Sequence, residues 1–205
     1  MEKKLQGLMF VVSAPSGTGK TTLCRAILGL FPQMHFSVSY TTRPPRAGEV
    51  NGKDYHFIEA ENFQQMIDRG EFAEWAEIYG YRYGTSAVRL QDVLEEGQDI
   101  LLDIDVQGVR QLRNKKVAGI FIFLLPPSFG QLEQRLAKRG TEGKTAMAER
   151  LKKAEAEMAE ASTYDYLIVN DELMKAQEEM KAIILAEKCR RERMAWIVAD
   201  ILKRR

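Results

Sequence analysis

The residues in this chain best suited to chemistry are those that hold phosphate. Ala14-Pro15-Ser16-Gly17-Thr18-Gly19-Lys20-Thr21 follows the apolar run Leu8-Met9-Phe10-Val11-Val12 and precedes Leu23-Cys24-Arg25-Ala26-Ile27-Leu28, whose apolar residues have helical spacing. A strand, a glycine-rich turn and a helix in that order make a phosphate-binding loop. Gly17 and Gly19 lack Cβ atoms, so successive backbone N–H groups can close around a polyphosphate. Lys20 adds a charge, and the helix N-terminus a favourable dipole. Thr21 and Thr22 supply hydroxyls, and Ala14 stands where the common pattern has Gly. A nucleoside triphosphate is the expected ligand; the competing reading is a glycine-rich turn that binds nothing.

A second set of phosphate-directed groups lies further on. Thr41-Thr42-Arg43-Pro44-Pro45-Arg46-Ala47-Gly48-Glu49 places two arginines three apart around a proline pair, in a loop. The planar guanidinium fork matches phosphate oxygens, and proline lowers the entropy cost of holding it open. Two surface arginines in a turn would read almost the same way. Tyr55 and Tyr83, both beside glycine turns, add phenol O–H groups that can complete a phosphate cage. Glu74 lies between aromatics in Phe72-Ala73-Glu74-Trp75, and buried it would need paired donors such as the N1–H and 2-amino group of guanine. Strand alternation by itself favours a solvent-facing Glu74. Asp103 and Asp105 follow an apolar strand at its carboxyl end, where doubly wound sheets hold their ligands, and strand geometry would put them on one face. Such a carboxylate could hold magnesium through water, orient an arginine or touch the acceptor, with helix capping the competing role for Asp105.

Four buried-strand patterns position these groups: 8–12, 99–104, 120–125 and 166–169, alternating with helix-like sequence such as 128–138 with Phe129, Leu132 and Leu136 on one face. The expected scaffold is α/β, a doubly wound parallel sheet. Between Ser37 and Gly97 the texture changes to short strands, at 37–41, 54–58 and 72–76, punctuated by Pro and Gly, which reads as an inserted strand-rich subdomain. Residues 135–161 read as a helical lid interrupted by Gly140-Thr141-Glu142-Gly143. From Asp171 on, the sequence reads as helix, with an apolar end expected to pack on the core or on another subunit.

Composition sets the bounds. A chain of 205 residues, 45% of them hydrophobic, can bury one substantial core. The net charge of +1 gives no field for nucleic acid or a membrane surface, so recognition must be local. Cys24 and Cys189 have no metal-ligand spacing and read as reduced thiols. The apolar stretch near the N-terminus is too short for a signal peptide or membrane span, and the expected location is cytoplasmic.

Taken together, the phosphate loop at 14–21, Ser39-Tyr40-Thr41-Thr42-Arg43-Pro44-Pro45-Arg46-Ala47-Gly48-Glu49, Asn51-Gly52-Lys53-Asp54-Tyr55, Tyr83-Gly84-Thr85, Leu102-Asp103-Ile104-Asp105-Val106-Gln107-Gly108, Arg139-Gly140-Thr141 and Ile168-Val169-Asn170-Asp171 resemble the guanylate kinases, in order and spacing from about Leu8 to Lys188. The resemblance implies reversible transfer of the γ-phosphoryl group of ATP to GMP, and to dGMP, giving ADP and GDP, with magnesium on the triphosphate, in purine nucleotide recycling. It implies a core (1–36, 95–125, 163–205), a GMP-binding region (37–94) and a lid (126–162). Position by position, Arg43, Arg46, Tyr55 and Tyr83 would bind the GMP phosphate, while Ser39, Glu74, Thr85 and Asp105 would read guanine. Residues 14–22 would bind ATP, Lys20 bridging donor phosphates and Thr21 with Asp103 serving magnesium through water. Arg139 and Arg150 would swing in with the lid as catalytic groups beside Lys20, Arg43 and Asp103, and Arg135 and Asn170 would lie beside the adenine.

Two other readings stay in view. One is a guanylate-kinase-like module that binds proteins without catalysis, whose expected mark is an eroded phosphate loop. The other is a kinase for another small phosphorylated acceptor.

Overall fold

The computed structural model describes residues 5–139 and 144–203, with side chains placed for 5–137 and 147–203. Residues 140–143 and the Arg139 side chain therefore lie outside the described residues. The chain runs through β1 (Met9–Ser13), α1 (Lys20–Leu30), β2 (His35–Phe36), β3 (Tyr40–Thr41), β4 (His56–Phe57), α2 (Ala60–Asp68), β5 (Phe72–Ile78), β6 (Tyr81–Ser86), α3 (Ala87–Glu95), β7 (Ile100–Asp103), α4 (Val106–Asn114), β8 (Ile120–Leu125), α5 (Phe129–Arg139), α6 (Lys144–Ala159), β9 (Tyr166–Val169), α7 (Leu173–Lys188) and α8 (Arg191–Lys203).

Five strands form one sheet in the order β2-β7-β1-β8-β9, every neighbouring pair parallel. Its strands read as continuous apolar runs because both faces are covered. Phe10, Val12, Leu101, Ile122 and Leu124 pack with Leu23 and Ile27 of α1 and Met180 and Ile184 of α7. Met9, Val11, Leu102 and Phe121 pack on the other face with Leu90 of α3 and Val109 and Leu112 of α4. The doubly wound scaffold is thus observed, with β1 central and its carboxyl end opening into the phosphate loop.

A second sheet, β4-β3-β6-β5, comes from the insertion. Here several expectations need correction. The stretch 37–41 is not one strand: His35–Phe36 joins the parallel sheet, Tyr40–Thr41 joins the inserted one, and 37–39 carry the chain between them. The insertion also holds helices α2 and α3, and the glycine-punctuated segment 81–86 is a strand. It pairs with β5 through a two-residue turn, Tyr79-Gly80, whose φ values of 51° and 79° suit a hairpin's right-handed twist.

Helices α5 and α6, expected to form a lid, pack together on Leu132, Leu136 and Ala154, with Met147 and Leu151 beside them. Phe129, expected on that apolar face, is exposed. The C-terminal segment is two helices rather than one, broken at Cys189–Arg190, and α8 buries no residue. Val198, Ile201 and Leu202 are each about 60% exposed, so the apolar end does not pack on the core of its own chain. Both cysteines are free, Cys24 buried and Cys189 exposed. Among the described residues no helix is long and apolar enough to cross a membrane.

Candidate active site

The phosphate loop is shaped by two left-handed glycines, Gly17 at φ 92° and Gly19 at φ 97°. Both are also needed for space. A Cβ on Gly17 would stand 2.9 Å from Leu136 of α5, and one on Gly19 would stand 2.6 Å from Asn170 Nδ2. Asn170 in turn donates through Nδ2 to the Thr18 carbonyl at 2.6 Å, and Arg135 Nη1 donates to the Asn170 carbonyl at 3.1 Å. Arg135, Asn170 and Thr18 therefore line one cleft on the outer side of the loop. The buried Thr18 hydroxyl has no hydrogen-bond partner among the described residues.

On the inner side, Lys20 Nζ lies 2.6 Å from Asp103 Oδ1 and donates to the Ile104 carbonyl at 2.6 Å. Burial disfavours the ammonium, but the charge and hydrogen bond of Asp103 more than offset it, so Lys20 is held above its ordinary pKa and stays cationic. Thr21 Oγ1 donates to the other Asp103 oxygen at 3.1 Å. A hydroxyl and a carboxylate side by side at the end of a phosphate loop suit magnesium, which keeps most of its waters and takes its remaining oxygens from phosphates. Among the described residues no cluster of three or more His, Cys, Asp or Glu forms a protein cage for a metal.

The second cleft opens beyond Asp103. Arg43, Arg46, Tyr55 and Tyr83 line one part of it, Ser39, Glu74 and Asp105 the rest, with Lys20 and Asp103 where it meets the phosphate loop. Arg43 is almost buried, its Nη2 2.8 Å from Glu49 Oε1 and its Nη1 donating to the Pro44 carbonyl at 2.7 Å. The other Glu49 oxygen accepts from the Arg46 backbone N–H at 2.7 Å. The hydrogen bond with Arg43 holds the Glu49 carboxyl below its usual range. The Arg43 guanidinium also lies 5.4 Å from the Tyr55 ring centroid, and Tyr55 meets Tyr83 edge to face. Glu49 was not singled out from the sequence, although an acid three residues after Arg46 in a turn is a charge-spacing signal.

Glu74 is the main surprise for the strand pattern. It is 3% exposed, and its Oε1 accepts from the Thr85 hydroxyl at 2.6 Å. The cause is a bulge: Phe72 pairs with Ser86 while Glu74 pairs with Thr85, so one residue of β5 is unmatched. Such an insertion sends Phe72 and Glu74 to opposite faces. Phe72 stacks on Phe63 of α2, whereas Glu74, Ala76 and Ile78 all line the cleft. Burial pushes the Glu74 carboxyl up to about 7, against the Thr85 hydrogen bond, which favours the charged form. Asp105 caps α4, its Oδ1 accepting from the Gly108 N–H at 2.9 Å, and also lines the cleft. It lies beyond the end of β7 and does not share a strand face with Asp103.

Helix α6 contributes Arg150, Lys153 and Glu157 to the wall facing the phosphate loop. Lys153 and Arg150 approach the ring of Tyr79, at the tip of the β5–β6 hairpin, to 5.1 and 5.4 Å. Tyr79, Lys153 and Glu157 gave no motif in sequence; only the helical spacing of Lys153 and Glu157 from Arg150 connects them.

Comparison with known proteins follows the same residues. The family model described as Guanylate kinase matches residues 6–187. The chain is 48% identical over 197 residues to the guanylate kinase of Geobacter metallireducens, covering 96% of this chain and 97% of that one. It is 53% identical over 191 residues to that of Syntrophotalea carbinolica, covering 93% and 91%. The crystal structure of guanylate kinase from Anaplasma phagocytophilum superposes with a TM-score of 0.74 at 32% identity, covering 93% of this chain and 90% of that one.

Proposed function

The chain belongs to the guanylate kinase family, and from that premise we propose that its two clefts hold ATP and GMP in line for reversible transfer of the γ-phosphoryl group, giving ADP and GDP. The observation that carries this reading is that the cleft on the inner side of the phosphate loop and the cleft holding Arg43 and Glu74 meet at Lys20 and Asp103, which line both, while the Arg135–Asn170 cleft lies on the outer side of the same loop. The first is walled by backbone of the phosphate loop, the second by an arginine–tyrosine cage at one part and a buried carboxylate at another.

In this reading a GMP phosphate oxygen attacks the γ-phosphorus, and the bond to the β,γ-bridging oxygen breaks, leaving ADP. The attacking oxygen is already anionic, so no strong general base and no covalent enzyme intermediate are required. The protein's part is to position two polyanions and compensate the charge that spreads over the transferred group. Lys20 serves the donor phosphates. Arg43, Arg46, Tyr55 and Tyr83 hold the acceptor phosphate, Glu49 orienting the Arg43 guanidinium and holding the loop backbone at Arg46. Glu74, ionised and backed by Thr85, accepts from guanine N1–H and the 2-amino group, with Ser39 and Asp105 beside the base. Thr21 and Asp103 would hold magnesium through water, and the ion would neutralise β- and γ-phosphate charge. Arg135, Asn170 and the unpartnered Thr18 hydroxyl suit the adenine end. Arg139 and Arg150 belong to the lid, which with the segment 37–94 closes over the substrates and excludes water.

A panel of nucleoside monophosphates with Mg-ATP, read as ADP release, tests the whole reading. GMP and dGMP should be phosphorylated, AMP and UMP hardly. Turnover with another acceptor but not GMP would favour the kinase of different specificity, and no turnover with any acceptor the non-catalytic module.

A further inference from the structure

Gly108 lies in the first turn of α4 without an obvious backbone reason to be glycine. It is not among the positive-φ glycines, and glycine inside a helix is disfavoured relative to alanine. The reason is on its other side. A Cβ built on Gly108 would overlap Glu74 Oε2 and stand 2.9 Å from Glu74 Cδ and 3.2 Å from Ile104 Cδ1. We propose that Gly108 is a positioning residue for base recognition: its missing side chain is the space in which the Glu74 carboxylate sits, so α4 sets where the guanine-reading group stands. The inference rests on the reading of Glu74 as the group that reads guanine.

Glu74 has little freedom to step aside. Its other oxygen is held by the Thr85 hydroxyl, and β5 itself is fixed to α4. Gln111 accepts from the Trp75 N–H at 3.2 Å and donates to the Trp75 carbonyl, and Lys115 Nζ donates to the Ala73 carbonyl at 2.7 Å. These side chains fasten the strand bearing Glu74 along the helix bearing Gly108. A methyl group at 108 must therefore displace the carboxylate, and any displacement costs a site built on hydrogen bonds to one base edge.

The test is a cycle of Gly108→Ala and Glu74→Ala, read by KM for GMP, KM for ATP, discrimination between GMP and IMP, which lacks the 2-amino group, and thermal unfolding. Gly108→Ala should raise KM for GMP roughly ten- to a hundredfold and narrow the GMP/IMP preference, while KM for ATP stays within about twofold. On the Glu74→Ala background the same change should move KM for GMP by less than about twofold, since the overlap is gone. Should Gly108→Ala fold poorly, the double variant must recover the unfolding midpoint of Glu74→Ala. An unchanged KM for GMP in Gly108→Ala, additive losses in the double variant, or a double variant as unstable as Gly108→Ala would overturn the proposal. If Glu74→Ala keeps its full GMP/IMP preference, the reading of Glu74 is what fails; if Glu74→Ala loses it and Gly108→Ala does not, the reading stands and the role of Gly108 falls.

Discussion

Lys20 and Glu74 are ionisable groups in neighbouring parts of the cleft, and their surroundings treat them differently. Lys20 is kept cationic by Asp103, which lies 2.6 Å away, ready to serve anionic phosphates. We expect Lys20→Ala to lower kcat by roughly 10²–10³-fold, the scale seen when a group that stabilises transition-state charge is removed. Normal ADP release by that variant would remove Lys20 from the phosphates. Glu74, by contrast, is pushed up to about 7 by burial, whereas the proposed acceptance of two guanine donors requires it ionised. KM for GMP should therefore rise about tenfold from pH 8 to pH 6, as the ionised fraction falls. GMP's own phosphate titrates near pH 6, so the Glu74→Gln profile is the control: it should keep only that milder dependence. The stability sign follows from the same shift. The folded protein holds this proton more tightly than the unfolded chain, so the stability cost is absent in acid, grows as pH rises through the ordinary carboxyl range, and is complete above about 7. Glu74→Gln should stabilise the ligand-free enzyme by on the order of 1–3 kcal/mol at pH 8 and progressively less toward pH 4. A pH-independent difference in unfolding midpoint would show that the carboxylate's charge is not what is being relieved.

At the scale of elements, α4 connects the end of β7 to the strand that bears Glu74. It starts at Asp105, just past Asp103 at the end of β7, and runs beside the outer strand of the inserted sheet. An outer strand leaves backbone groups unpaired on one side; here Gln111 and Lys115 satisfy those of Ala73 and Trp75. Gln111→Ala should cost about 1–2 kcal/mol in urea unfolding, the price of leaving a half-buried N–H and C=O without partners. An unchanged midpoint would mean that water replaces the side chain there. The parallel strands were readable because burial on both faces leaves one long apolar run, a pattern that survives without knowledge of partners. The β5–β6 hairpin was not, since Tyr79 takes a left-handed turn position usually given to Asn or Gly, and 81–86 carries Arg82 and Gly84 among its aromatics. Gly84 makes sense only with its neighbours in place: a Cβ there would stand 2.8 Å from the Phe72 ring.

Across the whole molecule, α6 and the inserted sheet touch over the cleft through Tyr79, Lys153 and Arg150. Each exposed cation–π contact is worth roughly 0.5–1 kcal/mol, enough to bias the proposed closure without locking it. Tyr79→Asn keeps the turn and removes the ring, so KM for ATP should rise about two- to fivefold, and Lys153→Met should add little on top of it. Fully additive effects would mean that ring and ammonium do not act together. From the amino-acid sequence alone came the phosphate loop, the apolar strands that point it at a ligand, and the arginine loop at 43–46, because each depends on residues close in the chain. Tertiary structure decided the rest. Glu74 faces the cleft through a one-residue bulge and a glycine on α4, thirty-four positions further along the chain. The exposed apolar end of α8 was likewise beyond sequence reading, since a helical pattern shows which face is apolar and not what lies against it.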